Sequence, residues 1–165
     1  MLDRVRESVF SILHERLDNA SVLDLFAGSG SLGLEALSRG AASALFVEQD
    51  RRALAVLKKN IADLGLGEWA KAVGGNALSS LSWGEPADVI FMDPPYPLLR
   101  SGTTRRKVFE ATQELGRSIL AEDGVIVFHA PRSEVRESEF GDGLSGEARD
   151  YGTSAIWFLK HAPAE

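Results

Sequence analysis

The stretch SVLDLFAGSGSLGLEALSRG, residues 21–40, decides the fold. Ser21 to Phe26 is a short β-branched and aliphatic run of the kind that forms a strand, and Ser31 to Gly40 has the spacing of a helix ended by a glycine. Between them stand Gly28 and Gly30, with Gly33 three positions on, in the pattern G-x-G-x-x-G. A strand, a glycine turn and a helix start aim backbone N–H groups and the positive end of a helix at one point, where a nucleotide or another polar, partly anionic ligand would sit. Glu48 follows the first glycine by about 20 residues, placed to accept hydrogen bonds from ribose hydroxyls. Alone, the pattern leaves NAD as the obvious ligand, with a βα turn that needs glycines only for close packing as the bland alternative. Two details favour another cofactor. Asp24 lies inside the strand end and Asn76 follows the third strand, as if each strand end gave one polar contact to an adenosine and an amino acid.

Outward from this stretch the chain alternates strands and helices. The spacing of Val5, Val9, Ile12, Leu13 and Leu17 predicts an amphipathic helix from residue 3 to about 17, with Asp3 as its N-cap. After the glycine turn come a strand at 44–48, a helix at 51–64 stopped by Gly65, strands at 71–73 and 88–92, a helix at 104–120 and a strand at 125–128. This βαβα rhythm predicts a parallel sheet with helices on both faces. Residues 134–150 are acidic and weakly periodic, and GEARDYG and TSAIWFLK read as two strands joined by a tight turn near Gly152, an antiparallel pair closing the sheet. The glycines from 141 to 146 read as a loop rather than a boundary, so one domain over 1–165 is expected, its first 20 residues carrying the N-terminal helix.

Composition narrows the function. With 165 residues, 44% hydrophobic and 25% charged, the chain suits a single well-filled core. It has no cysteine, which removes disulfides, Cys-ligated zinc, Fe–S clusters and thiolate nucleophiles. A formal net charge of -6 argues against non-specific coating of nucleic acid, which needs a broad basic surface. No apolar run approaches the length of a membrane span and no signal sequence is evident, so the cytoplasm is the expected location. His14 and His129 lack a second ligand at metal spacing and are read as structural, with no metal expected. Trp69, Trp83 and Trp157 are expected in packing, and Phe26 beside the cofactor.

The second motif is Asp93-Pro94-Pro95-Tyr96, directly after the apolar strand Val89 to Met92. It falls at the carboxyl end of a strand, where open α/β sheets bind ligands. Two prolines remove two N–H donors, so the turn presents carbonyl oxygens and a carboxylate beside an aromatic ring. That combination fits an exocyclic amino group on a flat heterocycle: Asp93 and the Pro94 carbonyl accept its two N–H bonds while Tyr96 stacks on the ring. By itself the motif is equally a proline-rich turn capping a strand, but the glycine loop one strand away favours the amino-group site.

These residues resemble the class I S-adenosylmethionine-dependent methyltransferases that carry (D/N)PP(Y/F). More narrowly, DRVRES-F, VLDLFAGSGSLGLEALSRGA, FVE-D and DPPY together resemble the bacterial 16S ribosomal RNA guanine-N2 methyltransferase family known as RsmD, over nearly the whole chain. The resemblance implies a Rossmann-like α/β fold, a seven-stranded mostly parallel sheet with an antiparallel last strand and helices on both faces. It implies S-adenosyl-L-methionine as cofactor, with Gly28 and Gly30 beside its methionine part, Glu48 on the ribose, Asn76 on the adenine amino group and Asp24 orienting the ammonium. Phe26, Ala27, Gln49, Ala77 and Asp93 complete the expected cofactor contacts, and Asp93, Pro94, Pro95 and Tyr96 the catalytic turn. The expected partner is 16S rRNA or the assembling small subunit, met by a monomer. The chain departs from the family at its start, where Met1-Leu2 stands in place of a basic arm and a Pro-Thr-Thr segment that would add RNA affinity.

Arg100, Arg105, Arg106 and Lys107 form a cationic run after DPPY that either contacts phosphates or is a solvated helix start. Arg4 and Arg6 either line the substrate approach or are surface charges of an amphipathic helix. Other functions meet specific obstacles. An NAD-dependent oxidoreductase gives DPPY no role, cytosine-C5 methylation needs a cysteine that is absent, and a non-catalytic RNA-binding module leaves both motifs unexplained. Methylation of DNA adenine-N6 or of a protein glutamine amide suits DPPY as well as guanine does.

Overall fold

In the computed structural model, which describes residues 1–79 and 85–165, the chain divides into two units, Met1–Ala77 and Leu78–Glu165. The described residues contain a mostly parallel seven-stranded sheet with helices around it, in keeping with the parallel sheet that the alternating pattern predicts and with the Rossmann-like α/β fold that the resemblance implies.

The first unit runs α1 (Asp3–Leu17), β1 (Ser21–Leu25), α2 (Ser31–Ser38), β2 (Ser43–Glu48), α3 (Arg51–Asp63) and β3 (Ala70–Gly74). Its strands lie in the order β3-β2-β1, all parallel. The register sets Leu25 against Val47 and Glu48 against Gly74. The carboxyl ends of three strands are therefore level, and the glycine turn, Glu48 and the segment carrying Asn76 all leave the sheet along one edge. Burial follows the sequence pattern closely. Val22 to Leu25, Phe46 and Val47 are buried, as are Leu57 and Ile61 on the amphipathic α3.

Two expectations for α1 are corrected. Asp3 is not the cap: Leu2 occupies that position without a side-chain bond, and Asp3 sits in the first turn, paired with Arg6 at 3.1 Å. A carboxylate there still meets the positive end of the helix favourably. Ile12, counted with the apolar stripe, is 38% exposed while Phe10 is buried. At roughly 100° per residue the stripe drifts from Val5 toward Leu17, which brings Phe10 inside it and leaves Ile12 at its margin. The Arg39 guanidinium covers the Phe10 ring at 5.3 Å.

The second unit runs β4 (Ala87–Met92), α4 (Tyr96–Arg100), α5 (Gly102–Ser118), β5 (Leu120–Pro131), a 3₁₀ turn (Glu137–Phe140), β6 (Leu144–Tyr151) and β7 (Ser154–His161). Its strands lie in the order β4-β5-β7-β6. β4 and β5 are parallel, and β7 runs antiparallel to both β5 and β6. Among the described strands of this unit only β7 is reversed, as the terminal hairpin predicts. Gly152, at φ 58, opens the two-residue turn between the paired Tyr151 and Ser154, a conformation a side chain resists. Strand β5 is much longer than residues 125–128. Leu120 already pairs with Ala87, and the register then shifts before Val89 meets Val125, so charged residues bulged out of the ladder hide the strand's start from any periodicity.

Packing in this unit centres on an aromatic cluster. Phe128 of β5 lies 5.6 Å from Phe109 of α5 and 5.1 Å from Phe140, and Phe140 lies 5.3 Å from Trp157 of β7. Each such pair adds about 0.5–1.5 kcal/mol beyond the area it buries, and together they fix α5 and the 3₁₀ turn against the sheet. Trp157 thus packs as expected. Trp69 does not: it is 48% exposed beside β3, and its carbonyl accepts from Ala44 N–H at 2.8 Å. Trp83 lies outside the described residues. No described helix is long and apolar enough to cross a membrane.

Candidate functional site

The glycine turn begins where β1 breaks. Phe26 has φ 57, a left-handed conformation that costs a non-glycine residue on the order of 1–3 kcal/mol and persists only when its surroundings enforce it. Here Ala27 N–H donates to Val47 O at 3.0 Å and Gly30 N–H to Ala27 O at 2.9 Å, which curls the chain back over β2. Asn60 of α3 donates to Ser29 O at 3.0 Å. Gly28 at φ 59 and Gly30 at φ 89 complete the curl, and Gly30 is the N-cap of α2. A side chain on Gly30 would run into the buried Leu57, whereas a Cβ on Gly28 would meet nothing within 4 Å. One glycine is thus closed against the core and the other faces open space from which a ligand can reach the backbone.

Two carboxylates support this turn from different sides. Asp24, 1% exposed, accepts from Gly33 N–H at 2.9 Å and so satisfies an orphan donor of the first turn of α2. Gly33 is required for that approach, since a Cβ there would stand 2.7 Å from Cζ of the buried Phe46. Glu48, at the end of β2, accepts from Gly28 N–H at 2.8 Å through Oε1 and from Asp50 N–H at 2.9 Å through Oε2. An ionised carboxylate offers about four acceptor positions, so Glu48 can brace the turn and accept further bonds from a ligand. Gly75 N–H donates to the Glu48 carbonyl at 3.1 Å, which brings the neighbouring Asn76 to the same edge. Asn76 and Gln49 are exposed, Phe26 and Ala27 half-buried, and Ala77 buried. Strand ends thus gather every residue of the expected cofactor set that belongs to this unit.

In the second unit, Asp93 follows β4 and the double proline leads into α4. Pro94 is buried, Pro95 is the N-cap and Tyr96 the first helical residue. Pro97 falls in the first turn, where a missing N–H costs nothing. The side chains of Asp93 and Tyr96 meet on a residue read from the sequence as merely structural. His129 Nδ1 lies 2.7 Å from Asp93 Oδ1, and His129 Nε2 lies 3.2 Å from the Tyr96 hydroxyl. The same hydroxyl lies 3.1 Å from Ser154 Oγ. The Tyr96 ring meets the imidazole edge-on, with centroids 5.6 Å apart.

Strand register produces this cluster. Met92 pairs with Phe128 in parallel β4 and β5, so the next residues, Asp93 and His129, stand side by side. Antiparallel β7 then brings Ser154 to the same end, paired with Pro131. His129 sits in a run of buried residues from Val125 to Pro131 and has no partner near it in sequence. Knowledge that two parallel strands end together would have been the one signal for it. Among the described residues no group of His, Asp or Glu could hold a metal ion.

The expected cationic contacts separate into two kinds. Arg105 is turned inward: Nε and Nη2 bind Glu139 at 2.8 to 2.9 Å, Nη1 donates to Leu99 O at 2.8 Å and Nη2 to Glu134 O at 2.7 Å. Its guanidinium also lies over the Phe109 ring at 5.2 Å. Arg105→Ala should therefore lower the free energy of unfolding by roughly 1.5–3 kcal/mol, the range for hydrogen bonds to charged groups. Urea denaturation of both proteins measures this, and an unchanged midpoint would deny Arg105 its structural role. Arg100, Arg106 and Lys107 are exposed. Arg4 is exposed and Arg6 is half-buried in its pair with Asp3.

The sequence is similar to known proteins along most of its length. A family model described as Conserved hypothetical protein 95 matches residues 1–160. The chain is 41% identical over 145 residues to Ribosomal RNA small subunit methyltransferase D of Escherichia coli (strain K12), an alignment covering 86% of this chain and 65% of that protein. The chain thus spans just under two thirds of that relative's length. It is 32% identical over 162 residues to YlbH of Bacillus subtilis (strain 168), provisionally named an rRNA methyltransferase, with 96% of this chain and 85% of that one covered. The solved Escherichia coli protein yhhF, provisionally described as a methyltransferase, superposes with a TM-score of 0.84 at 33% identity over 98% of this chain and 87% of that one. An RNA methyltransferase from Salinibacter ruber in complex with S-adenosyl-L-homocysteine shares the fold, with a TM-score of 0.67 at 15% identity over 100% and 94% of the two chains. With the family model spanning nearly all of the sequence and YlbH matched over most of its own length, the chain belongs to the RsmD-like methyltransferase family, whose model carries the description Conserved hypothetical protein 95.

Proposed function

We propose that this chain is an S-adenosylmethionine-dependent methyltransferase whose target is the exocyclic N2 amino group of a guanine in 16S ribosomal RNA, presented by the RNA or the assembling small subunit. In this reading residues 1–165 act as one methyltransferase domain, as a cytoplasmic monomer. The observation that carries it is the Asp93 carboxylate, held 2.7 Å from a buried imidazole at the end of β4 and followed by two prolines that offer acceptors and no N–H donors. A site of acceptors beside an aromatic ring selects a flat ring bearing an amino group.

The residues of the first unit fit the cofactor. The open face of Gly28 admits a ligand to the backbone, and Glu48 retains acceptor capacity for ribose hydroxyls while bracing Gly28. Asn76 would take the adenine amino group, with Phe26, Ala27, Gln49 and Ala77 around it. The buried Asp24 serves from within by fixing the start of α2. When bound, S-adenosylmethionine supplies a methyl group already activated on a sulfonium.

The chain's own task is then positioning. Asp93 and the Pro94 carbonyl accept the two amino N–H bonds, which localises the nitrogen lone pair otherwise delocalised into the ring, and Tyr96 offers a stacking face for the extruded base. Asp93 would also accept the proton the nitrogen sheds once it is methylated. Arg100, Arg106 and Lys107 supply phosphate contacts, with Arg4 and Arg6 on the first unit. Support for ribosomal RNA as substrate comes from the names of the relatives.

Methyl transfer from labelled S-adenosylmethionine to unmethylated small subunits, with naked rRNA and duplex DNA in parallel and nucleosides identified afterwards, tests the proposal. N2-methylguanosine from the subunit or its rRNA is expected. N6-methyladenosine, or no labelled nucleoside from any of the three with cofactor bound, would overturn it.

A further inference from the structure

With Asp93 ionised and the His129 ring neutral, donor capacity gives the hydrogen bonds around His129 a single direction. An ionised carboxylate only accepts, so the imidazole must donate to Asp93 through Nδ1–H. In a neutral ring Nε2 is then an acceptor, which obliges the Tyr96 hydroxyl to donate to it. With its proton so committed, Tyr96 can only accept from the Ser154 hydroxyl. Ser154 thus donates to Tyr96, Tyr96 to His129, and His129 to Asp93, over 3.1, 3.2 and 2.7 Å.

We propose that His129 is the positioning residue for the target amine. It fixes one oxygen of Asp93 and thereby orients the other toward the amino group, while Tyr96 and Ser154 lock its tautomer. This rests on the reading of Asp93-Pro94-Pro95-Tyr96 as the amino-group site. The terminal torsion of an aspartate is broad and roughly two-fold, so an untethered carboxylate would sweep its acceptor lone pairs through many directions. His129 removes that freedom because it cannot itself turn. It is buried, its strand is paired on both sides, to β4 and to β7, and its far nitrogen is occupied by Tyr96. The arrangement links the two residues that grip the base, the carboxylate that takes its amino group and the ring that takes its face, through one rigid side chain. A displacement of either is transmitted to the other.

Asparagine and glutamine at position 129 separate positioning from filling. Asparagine places its amide near the site of Nδ1 and can still donate to Asp93, whereas glutamine places its amide near the site of Nε2 and serves Tyr96 instead. The expected result is that His129→Asn keeps kcat within about 5-fold while His129→Gln loses about 10- to 100-fold, as a misplacement of about 1 Å at a reacting centre can cost about 10²-fold. The dissociation constant for S-adenosylmethionine should be unchanged in both. Equal losses in the two variants, or a loss confined to cofactor binding, would overturn the proposal.

A second readout needs neither substrate nor cofactor. Ring nitrogen NMR of 15N-histidine-labelled protein, with His129 assigned by its disappearance in His129→Asn, should show a protonated Nδ1 and a bare Nε2. Tyr96→Phe should shift the Nε2 resonance and leave Nδ1 protonated. A ring protonated at Nε2 alone would overturn the proposal even if methyl transfer is found. If the unaltered protein transfers no methyl group, the functional reading fails by itself, and the ring spectrum still decides whether His129 holds Asp93 in the stated way.

Discussion

Asp93→Ala should abolish methyl transfer, lowering kcat by about 10³-fold, the upper range for removal of one oriented polar contact from a reacting centre. S-adenosylmethionine should bind nearly as before, because the residues that brace the glycine turn, Asp24, Glu48 and Asn60, all lie elsewhere. The substitution has a structural cost too. It leaves Nδ1–H of the buried His129 without its acceptor, and an unsatisfied buried donor costs roughly 1–3 kcal/mol, so a lower melting temperature should accompany the loss. Kinetics alone could therefore mislead. Calorimetric titration of cofactor into the variant, below its melting temperature, separates a folded protein that binds but cannot transfer from one that has lost its site. Retention of activity within 10-fold would show that the amino group is held by something other than Asp93.

Gly30→Ala should destabilise the protein by roughly 2–5 kcal/mol, while Gly28→Ala two residues away should cost only about 1–2 kcal/mol. Both glycines occupy left-handed backbone, at φ 89 and φ 59, so an added Cβ brings the same conformational penalty to each. Only at Gly30 does it also meet buried carbon, first the Leu57 side chain and then Leu34 Cδ1 at 3.3 Å and Phe46 Cε1 at 3.4 Å. Leu57 is fully buried and has little space into which to retreat. Function should reverse the order relative to stability: Gly28→Ala places a methyl group on the open face of the turn and should weaken cofactor binding in a protein that remains well folded. Equal destabilisation at the two positions would mean that backbone conformation, not crowding, dictates glycine here.

These two cases mark what was legible in the sequence. The glycine turn could be read because strand, turn and helix are contiguous, and each local preference is expressed within some twenty residues. The double-proline turn after β4 stands out because two prolines dictate the chemistry of their own backbone. Helix α3 and the terminal hairpin were visible for similar reasons, one from its 3.6-residue period and the other from Gly152. Only the second half of β5 shows in the sequence pattern, since the residues after Leu120 leave the ladder and include Glu122 and Asp123. In sequence Arg105 belongs to a cationic run, but in the fold it turns inward to Glu139 and Phe109 while Arg106 and Lys107 face water.

By itself the sequence determined the class of fold and marked the two turns, one of glycines and one of prolines, on which the proposed function rests, because these follow from residue type and spacing over short range. Only tertiary structure decided what stands behind those turns. Asp93 and His129 are 36 residues apart, and Tyr96 and Ser154 are 58 apart; each pair meets because parallel and antiparallel strands end at a common level. Strand register is a property of the paired sheet, fixed by packing across many residues at once, and no local pattern in a single chain encodes which side chain will face the carboxylate.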